Sequence, residues 1–154
     1  MTRCEKALSY FTEKHFLCSQ SVLAAFSELC GLEEKEALRL GSCFGTGMRR
    51  GEVCGACTGS LMVLGLLYGQ DESGDWESRD RVYRLTREMT DCFQDACGSC
   101  LCRELLGCDP SVEEGLQKAR ETGLFDTVCP DVIANAVSIL EELIRKEKTA
   151  QEPV

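Results

Sequence analysis

The sequence predicts an all-α fold, a single compact domain of several helices around a buried central helix at about residues 55–69. Two segments, 78–97 and 129–144, repeat apolar residues at intervals of three and four, which is the period of an amphipathic helix. No segment alternates apolar and polar residues as a half-buried strand does. The 154 residues suffice for one core, expected over about residues 5–147, with a flexible tail at 148–154.

Three short helices are predicted in the first third of the chain. Residues 3–13 and 22–30 carry apolar residues at helical spacing, and Gly31 ends the second helix. A third helix at about 33–43 leads into the glycine-rich segment 41–51. We interpret that segment as a flexible connection, because it follows no strand and matches neither nucleotide-binding fingerprint.

The central helix is predicted from residues 61–68, which are apolar at almost every position and contain no polar stripe. Such a run is typical of a helix that is buried on nearly all sides. Cys54 and Cys57 come at its N-terminal end, where free backbone N–H groups and the helix dipole favour a thiolate over a thiol. Arg49 and Arg50 add positive charge just upstream.

The second half of the chain predicts three more helices. Residues 78–97 form the clearest amphipathic helix, and a compact cysteine-rich segment at 97–108 follows it. The next helix ends at about Thr122. The last helix begins at Cys129 and Pro130, because proline at a first-turn position loses no hydrogen bond.

Charge and hydropathy exclude several classes of partner. The formal net charge is −9, whereas nucleic acids and anionic membranes require a basic face. The N-terminus lacks the uninterrupted apolar core of a signal peptide, and the 61–68 run is far shorter than the roughly 20 residues that span a bilayer. The sequence therefore predicts a soluble, cytoplasmic protein with no nucleic-acid partner and no membrane partner.

Twelve cysteines in a cytosolic chain indicate metal binding or thiol redox chemistry rather than a disulfide framework. Four of them lie in, or just before, the first turn of a helix whose next turn faces the core: Cys18, Cys54, Cys102 and Cys129. If these helix starts converge, their thiols share a pocket with a positive backbone field. Four others are expected to be small buried apolar residues: Cys4, Cys30, Cys43 and Cys92.

Residues 54–59, CGACTG, match the CGAxxG signature of the C_GCAxxG_C_C redox family, and the chain resembles that family from about residue 5 to 145. The segments around Cys18 and Cys102, and the position of Cys129, fit its other elements. The resemblance implies that the family's four characteristic cysteines are Cys18, Cys54, Cys102 and Cys129. It also implies a redox role without a defined substrate. A related domain in split-Soret cytochromes is associated with an iron–sulfur cluster, although this chain lacks their C-x-x-C-H haem attachment site.

Two departures from the family pattern affect the predicted site. His15 stands where relatives tend to have glycine before the first cysteine, so the first helix either turns there or continues through Cys18. Cys57 fills a variable position of the signature and creates a C-x-x-C that the family does not require.

Three kinds of site remain open. The first is an iron–sulfur cluster, expected to be [2Fe–2S] and easily lost in air, bound by Cys18, Cys54, Cys102 and Cys129. The second is a metal-free redox dithiol of Cys54 with Cys57 or another pocket cysteine. The third is a structural zinc site formed by Cys54, Cys57, Cys97 and Cys100. An inert helical interaction domain is the remaining alternative. The expected partner is a redox protein, and enzymatic activity and a homodimer stay open.

Overall fold

The computed structural model describes residues 1–152, and this part of the chain contains nine α-helices and no strand. In chain order they are α1 (Arg3–Thr12), α2 (Cys18–Ala25), α3 (Glu34–Gly41), α4 (Gly55–Tyr68), α5 (Trp76–Cys97), α6 (Cys102–Leu106), α7 (Glu113–Glu121), α8 (Leu124–Thr127) and α9 (Cys129–Gln151). The predicted all-α class is confirmed. Of the predicted tail at 148–154, residues 148–151 belong to α9, and Pro153 and Val154 lie outside the described residues.

The N-terminal helices are separated by a sharp turn. A capping box starts α1, because the Thr2 hydroxyl accepts from the N–H of Glu5 at 3.1 Å while the Thr2 N–H donates to the Glu5 carboxylate at 2.7 Å. His15 has a φ of 59°, the left-handed conformation that glycine adopts most easily. The first helix therefore does not continue through Cys18, which becomes the first residue of α2.

The second helix ends earlier than predicted. It stops at Ala25 rather than near Gly31. The hydroxyl of Ser27 donates to the carbonyl of Ala24 at 2.9 Å, and such a local side-chain bond competes with continuation of the helix.

The central helix α4 contacts α2, α5 and α9. Its buried residues all lie between Gly55 and Leu64. Leu66 is 45% exposed, so the expectation of a helix buried on nearly all sides is wrong for the last turn, which reaches the surface. The first turns of α4, where the cysteines lie, are the part enclosed by the fold.

The two long helices bury one face each. The inner face of α9 is the predicted one, and all seven of its predicted residues are buried: Val132, Ile133, Ala136, Val137, Leu140, Leu143 and Ile144. The inner face of α5 consists of Leu85, Met89 and Phe93. Cys92 lies about 100° around α5 from Phe93 and is exposed. Cys43 is also exposed and Cys4 and Cys30 are partly buried, so the prediction of buried thiols is wrong for Cys43 and Cys92.

An ion-pair cluster joins α9 to α5. The carboxylate of Glu147, 6% exposed, accepts from Arg81 at 2.9 Å and from Arg84 at 2.7 Å.

Among residues 1–152, no single helix is both long and apolar enough to cross a membrane. One pair, Glu113–Glu121 with Leu124–Gln151, meets the length and composition criteria only when taken together, and it is bent by 59°.

The glycine-rich connection before α4 has a specific backbone conformation. Four consecutive residues, Thr46, Gly47, Met48 and Arg49, have φ between 57° and 59°. We call residues 46–49 the left-handed turn. Glycine adopts this conformation freely, whereas each of the other three residues pays about 1–2 kcal/mol for it. Residues 46–49 therefore adopt one defined backbone conformation, whereas the sequence predicts a flexible connection for this segment.

Candidate functional site

Four cysteines from four helices line one small cavity. Cys18, Cys102 and Cys129 are the first residues of α2, α6 and α9, and Cys54 is the residue that precedes α4. The other residues that line the cavity are apolar: Leu105, Leu106, Val128 and Val132. The cavity volume is about 20 Å³, which holds about one water-sized guest. These are the four cysteines that the sequence places at helix starts, and the fold brings them to one cavity.

A short backbone pairing holds two of the four helix starts together. Val53 and Leu101 form an isolated antiparallel bridge. The N–H of Cys54 donates to the carbonyl of Cys100 at 2.8 Å. The N–H of Cys102 donates in return to the carbonyl of Glu52 at 2.7 Å. These bonds fix the separation between the start of α4 and the start of α6.

Two glycines of the CGAxxG segment allow α2 and α4 to touch. A Cβ atom added at Gly55 would lie 2.5 Å from the sulfur of Cys18 and 3.0 Å from the backbone nitrogen of Ser19. A Cβ atom added at Gly59 would lie 2.9 Å from the carbonyl oxygen of Ser19. Any side chain at Gly55 would therefore displace the Cys18 sulfur from the cavity wall.

Cys18 and Cys54 form an asymmetric thiol pair. A hydrogen bond from the Cys54 thiol lowers the pKa of Cys18 to about 7; burial opposes this shift, and the backbone N–H groups of Thr46, Ser19 and Gly55 support it. The same hydrogen bond, followed by burial, raises the pKa of Cys54 well above its ordinary value. Near neutral pH, Cys18 is therefore the member of the pair that ionises, present as thiolate in about half of the molecules at pH 7, while Cys54 stays a thiol.

The other two cavity cysteines stay protonated in the metal-free protein. Burial, and after it the negative charge of the nearby Cys18 thiolate, raise the pKa of Cys102 and that of Cys129 to about 12. Coordination by a metal cation deprotonates thiols outright and would reverse this order.

The left-handed turn supplies one of the hydrogen bonds to the thiolate. The N–H of Thr46, the first residue of the turn with a φ of 57°, donates to the Cys18 sulfur. Strained backbone of this kind tends to occur where a site requires a fixed donor. Sequence reasoning did not identify Thr46, since only the adjacent Gly47 signals a left-handed residue.

The cavity does not have the geometry of a closed metal cage. Within residues 1–152, no group of three or more His, Cys, Asp or Glu side chains is arranged to hold a metal ion. The four thiols line the same cavity without converging on one point.

The predicted zinc ligands are divided between two places: Cys54 lines the cavity, whereas Cys57, Cys97 and Cys100 do not. Cys57 is fully buried and does not line the cavity. Burial raises its pKa to about 12, and the thiols of Cys100 and Cys97 contribute to the increase, the former also through a hydrogen bond. We call Cys57, Cys97 and Cys100 the second thiol cluster. The two thiols of the predicted Cys54–Cys57 dithiol thus have different partners, Cys18 and Cys100.

A family model described as "Putative redox-active protein (C_GCAxxG_C_C)" matches residues 16–143. The matched region contains all four cavity cysteines and the second thiol cluster, and it confirms the resemblance that the CGAxxG segment indicates. No curated protein and no solved structure matches the chain at a significant level.

Proposed function

Because the chain belongs to the C_GCAxxG_C_C family of redox-active proteins, we propose that the four-cysteine cavity binds an iron–sulfur cluster and serves in electron transfer with a redox partner protein. The observation that carries this proposal is the meeting of four helix-start cysteines around one apolar-walled cavity. When bound, the cluster would supply one-electron chemistry.

The donor set fits such a group. Four thiolates are the usual ligands of a [2Fe–2S] cluster, and the chain would supply them from Cys18, Cys54, Cys102 and Cys129. Backbone N–H groups already point at the Cys18 sulfur, and hydrogen bonds to sulfur tune a cluster's potential. A four-atom core needs more room than a cavity of about 20 Å³, so the proposal requires the side chains to rotate outward on binding.

The second candidate is a metal-free dithiol formed by Cys18 and Cys54. It is favoured by their hydrogen bond and by the pKa of about 7 at Cys18, which places a nucleophilic thiolate beside a thiol at neutral pH. No observation favours the zinc set, because the Cys54 thiol lies with Cys18 and its other members form the second thiol cluster.

The test is anaerobic purification of the full chain, followed by visible absorption spectroscopy and analysis for iron, acid-labile sulfide and zinc. We expect iron and sulfide in the wild type, their loss in Cys102→Ser, and wild-type content in Cys92→Ser. Cys102 lines the cavity, whereas Cys92 is an exposed cysteine of α5 and serves as the matched control.

The outcomes separate the two candidates. A colourless protein in which oxidation joins Cys18 to Cys54, reversibly and with loss of two thiols, would support the dithiol. Iron and sulfide that persist in Cys102→Ser would contradict the ligand assignment. A protein with neither iron nor a reversible thiol change would contradict both candidates.

A further inference from the structure

We propose that Cys57 and Cys100 form a second redox site, a reversible thiol–disulfide pair that exchanges with a low-molecular-weight disulfide. This site is separate from the four-cysteine cavity, and it does not depend on whether that cavity binds a metal.

The first observation is the position of the two thiols. Cys57 lies in the first turn of α4 and is completely buried, whereas Cys100 lies in the loop between α5 and α6 and is partly exposed. The two thiols lie within hydrogen-bonding reach of each other. The Cys100 sulfur also donates to the carbonyl of Thr90 at 3.4 Å, which orients it from the other side.

The second observation is that backbone hydrogen bonds fix the segments that carry the two cysteines. The N–H of Cys54 donates to the carbonyl of Cys100 at 2.8 Å, and the N–H of Cys57 donates to the carbonyl of Cys54 at 2.9 Å. The two cysteines are therefore linked through a single intermediate residue. Because both segments are bonded to Cys54, we expect the S–S bond, about 2.05 Å long, to close by rotation of the two side chains.

The third thiol of the cluster has a different environment. Cys97 is the last residue of α5, and the side-chain N–H of Asn135 donates to its sulfur at 3.7 Å. This bond holds the Cys97 sulfur toward α9. Cys97 and Cys100 are both partly exposed, but only Cys100 forms a hydrogen bond with the Cys57 thiol, so we assign the exchange reaction to the Cys57–Cys100 pair.

The reaction balances as two exchange steps. The Cys100 thiolate attacks one sulfur of the small disulfide, forming a mixed disulfide and releasing one small thiolate. Cys57 gives its proton to that thiolate, and its sulfur then attacks the Cys100 sulfur and displaces the second small thiolate, which takes up the proton lost by Cys100. Two protein thiols are oxidised, and one small disulfide is reduced to two thiols.

The test is anaerobic incubation of the full chain with oxidised glutathione, followed by alkylation, trypsin digestion and mass spectrometry. Trypsin leaves Cys57 in peptide 51–79 and Cys100 in peptide 88–103. We expect these peptides to be cross-linked, with fragmentation assigning the bond to Cys57 and Cys100 and dithiothreitol removing it. Cys92→Ser is expected to keep the bond.

Two variants make the result decisive. In Cys57→Ala, which keeps the buried position small and apolar, glutathione is expected to remain attached to Cys100 as a stable mixed disulfide. In Cys100→Ser, Cys57 is expected to stay fully alkylatable after denaturation. A Cys97–Cys100 bond in the wild type, or glutathione on wild-type Cys100 with Cys57 still free, would overturn the proposal.

Discussion

Replacement of Gly55 by alanine tests the packing that forms the cavity. The added methyl group would lie 2.5 Å from the Cys18 sulfur and 3.0 Å from the carbonyl oxygen of Phe44. Overpacking of this kind costs about 1–3 kcal/mol. Alanine recovers up to about 1 kcal/mol over glycine in a helix, so with that full recovery we expect a net loss of up to about 2 kcal/mol in the free energy of unfolding.

The matched control is Gly65→Ala in the same helix. Gly65 is exposed, and a Cβ atom added there meets no atom within 4 Å. Helix propensity alone then predicts a gain of about 0.5–1 kcal/mol. Urea unfolding of both variants measures the difference. Equal stability of Gly55→Ala and Gly65→Ala would refute the inferred contact between Gly55 and Cys18.

The same variant has a chemical readout. Displacement of the Cys18 sulfur weakens its hydrogen bonds with the Cys54 thiol and with the N–H groups of Thr46 and Gly55. The pKa of Cys18 is therefore expected to rise from about 7 toward its ordinary value of 9.0. Iodoacetamide alkylation of Cys18 in the metal-free protein, measured against pH by mass spectrometry, should show this increase. An alkylation profile equal to that of the wild type would show that the lowered pKa of Cys18 does not depend on its packing against Gly55.

Three further predictions concern pH and backbone strain. Folding lowers the pKa of Cys18 from 9.0 to about 7, so its thiolate stabilises the metal-free protein fully above pH 9.0, and this contribution is lost as the pH falls through about 7. In Cys18→Ser, the free energy of unfolding should therefore depend less on pH between about 7 and 9. A pH dependence equal to that of the wild type would contradict the assignment. Arg49→Gly relieves a φ of 59° and should stabilise the protein by about 1 kcal/mol, whereas Arg50→Gly, with no positive φ to relieve, should not; thermal unfolding compares them, and equal shifts would count against strain. Glu147→Gln weakens the ion pairs to two arginines and should cost about 1–3 kcal/mol at neutral pH, whereas Glu142→Gln on the exposed surface should cost less than about 0.5 kcal/mol. Because the ion pairs lower the pKa of Glu147 despite its burial, its contribution is present above pH 4.5 and lost below it; an acid titration in which both glutamine variants retain the wild-type profile would contradict this.

The sequence predicts those parts of the fold in which apolar residues repeat at regular intervals along the chain. The inner face of α9 follows from apolar residues at three- and four-residue intervals, because a helix places them on one side. The same rule assigns Cys18 and Cys129 to the first turns of helices whose next turn is buried. It overextends at Cys92, since a position next to the apolar face of α5 is still 100° away from Phe93.

Other features depend on contacts between segments distant along the chain. The C-x-x-C spacing indicates that Cys54 and Cys57 are close along the helix, but it does not show the partner of either thiol. The packing of α2 against α4 at Gly55 brings Cys18 to Cys54, and the pairing of Val53 with Leu101 brings the Cys100 segment to the start of α4. The left-handed turn is similarly hidden, because Thr46 and Met48 have no intrinsic preference for positive φ. Surrounding contacts impose such conformations, and no local pattern records them.

The cavity walls come from positions 18, 54, 102 and 129, so the site spans most of the order in which a ribosome adds residues. A nascent chain that has not yet released α9 contains three of the four thiols and lacks the closing wall. A cofactor that needs all four thiols can therefore bind only after α9 has been synthesised and has packed against the earlier helices. A chain truncated before α9 would lose Cys129 and Val132 from the cavity wall, and with them the fourth thiol of the site.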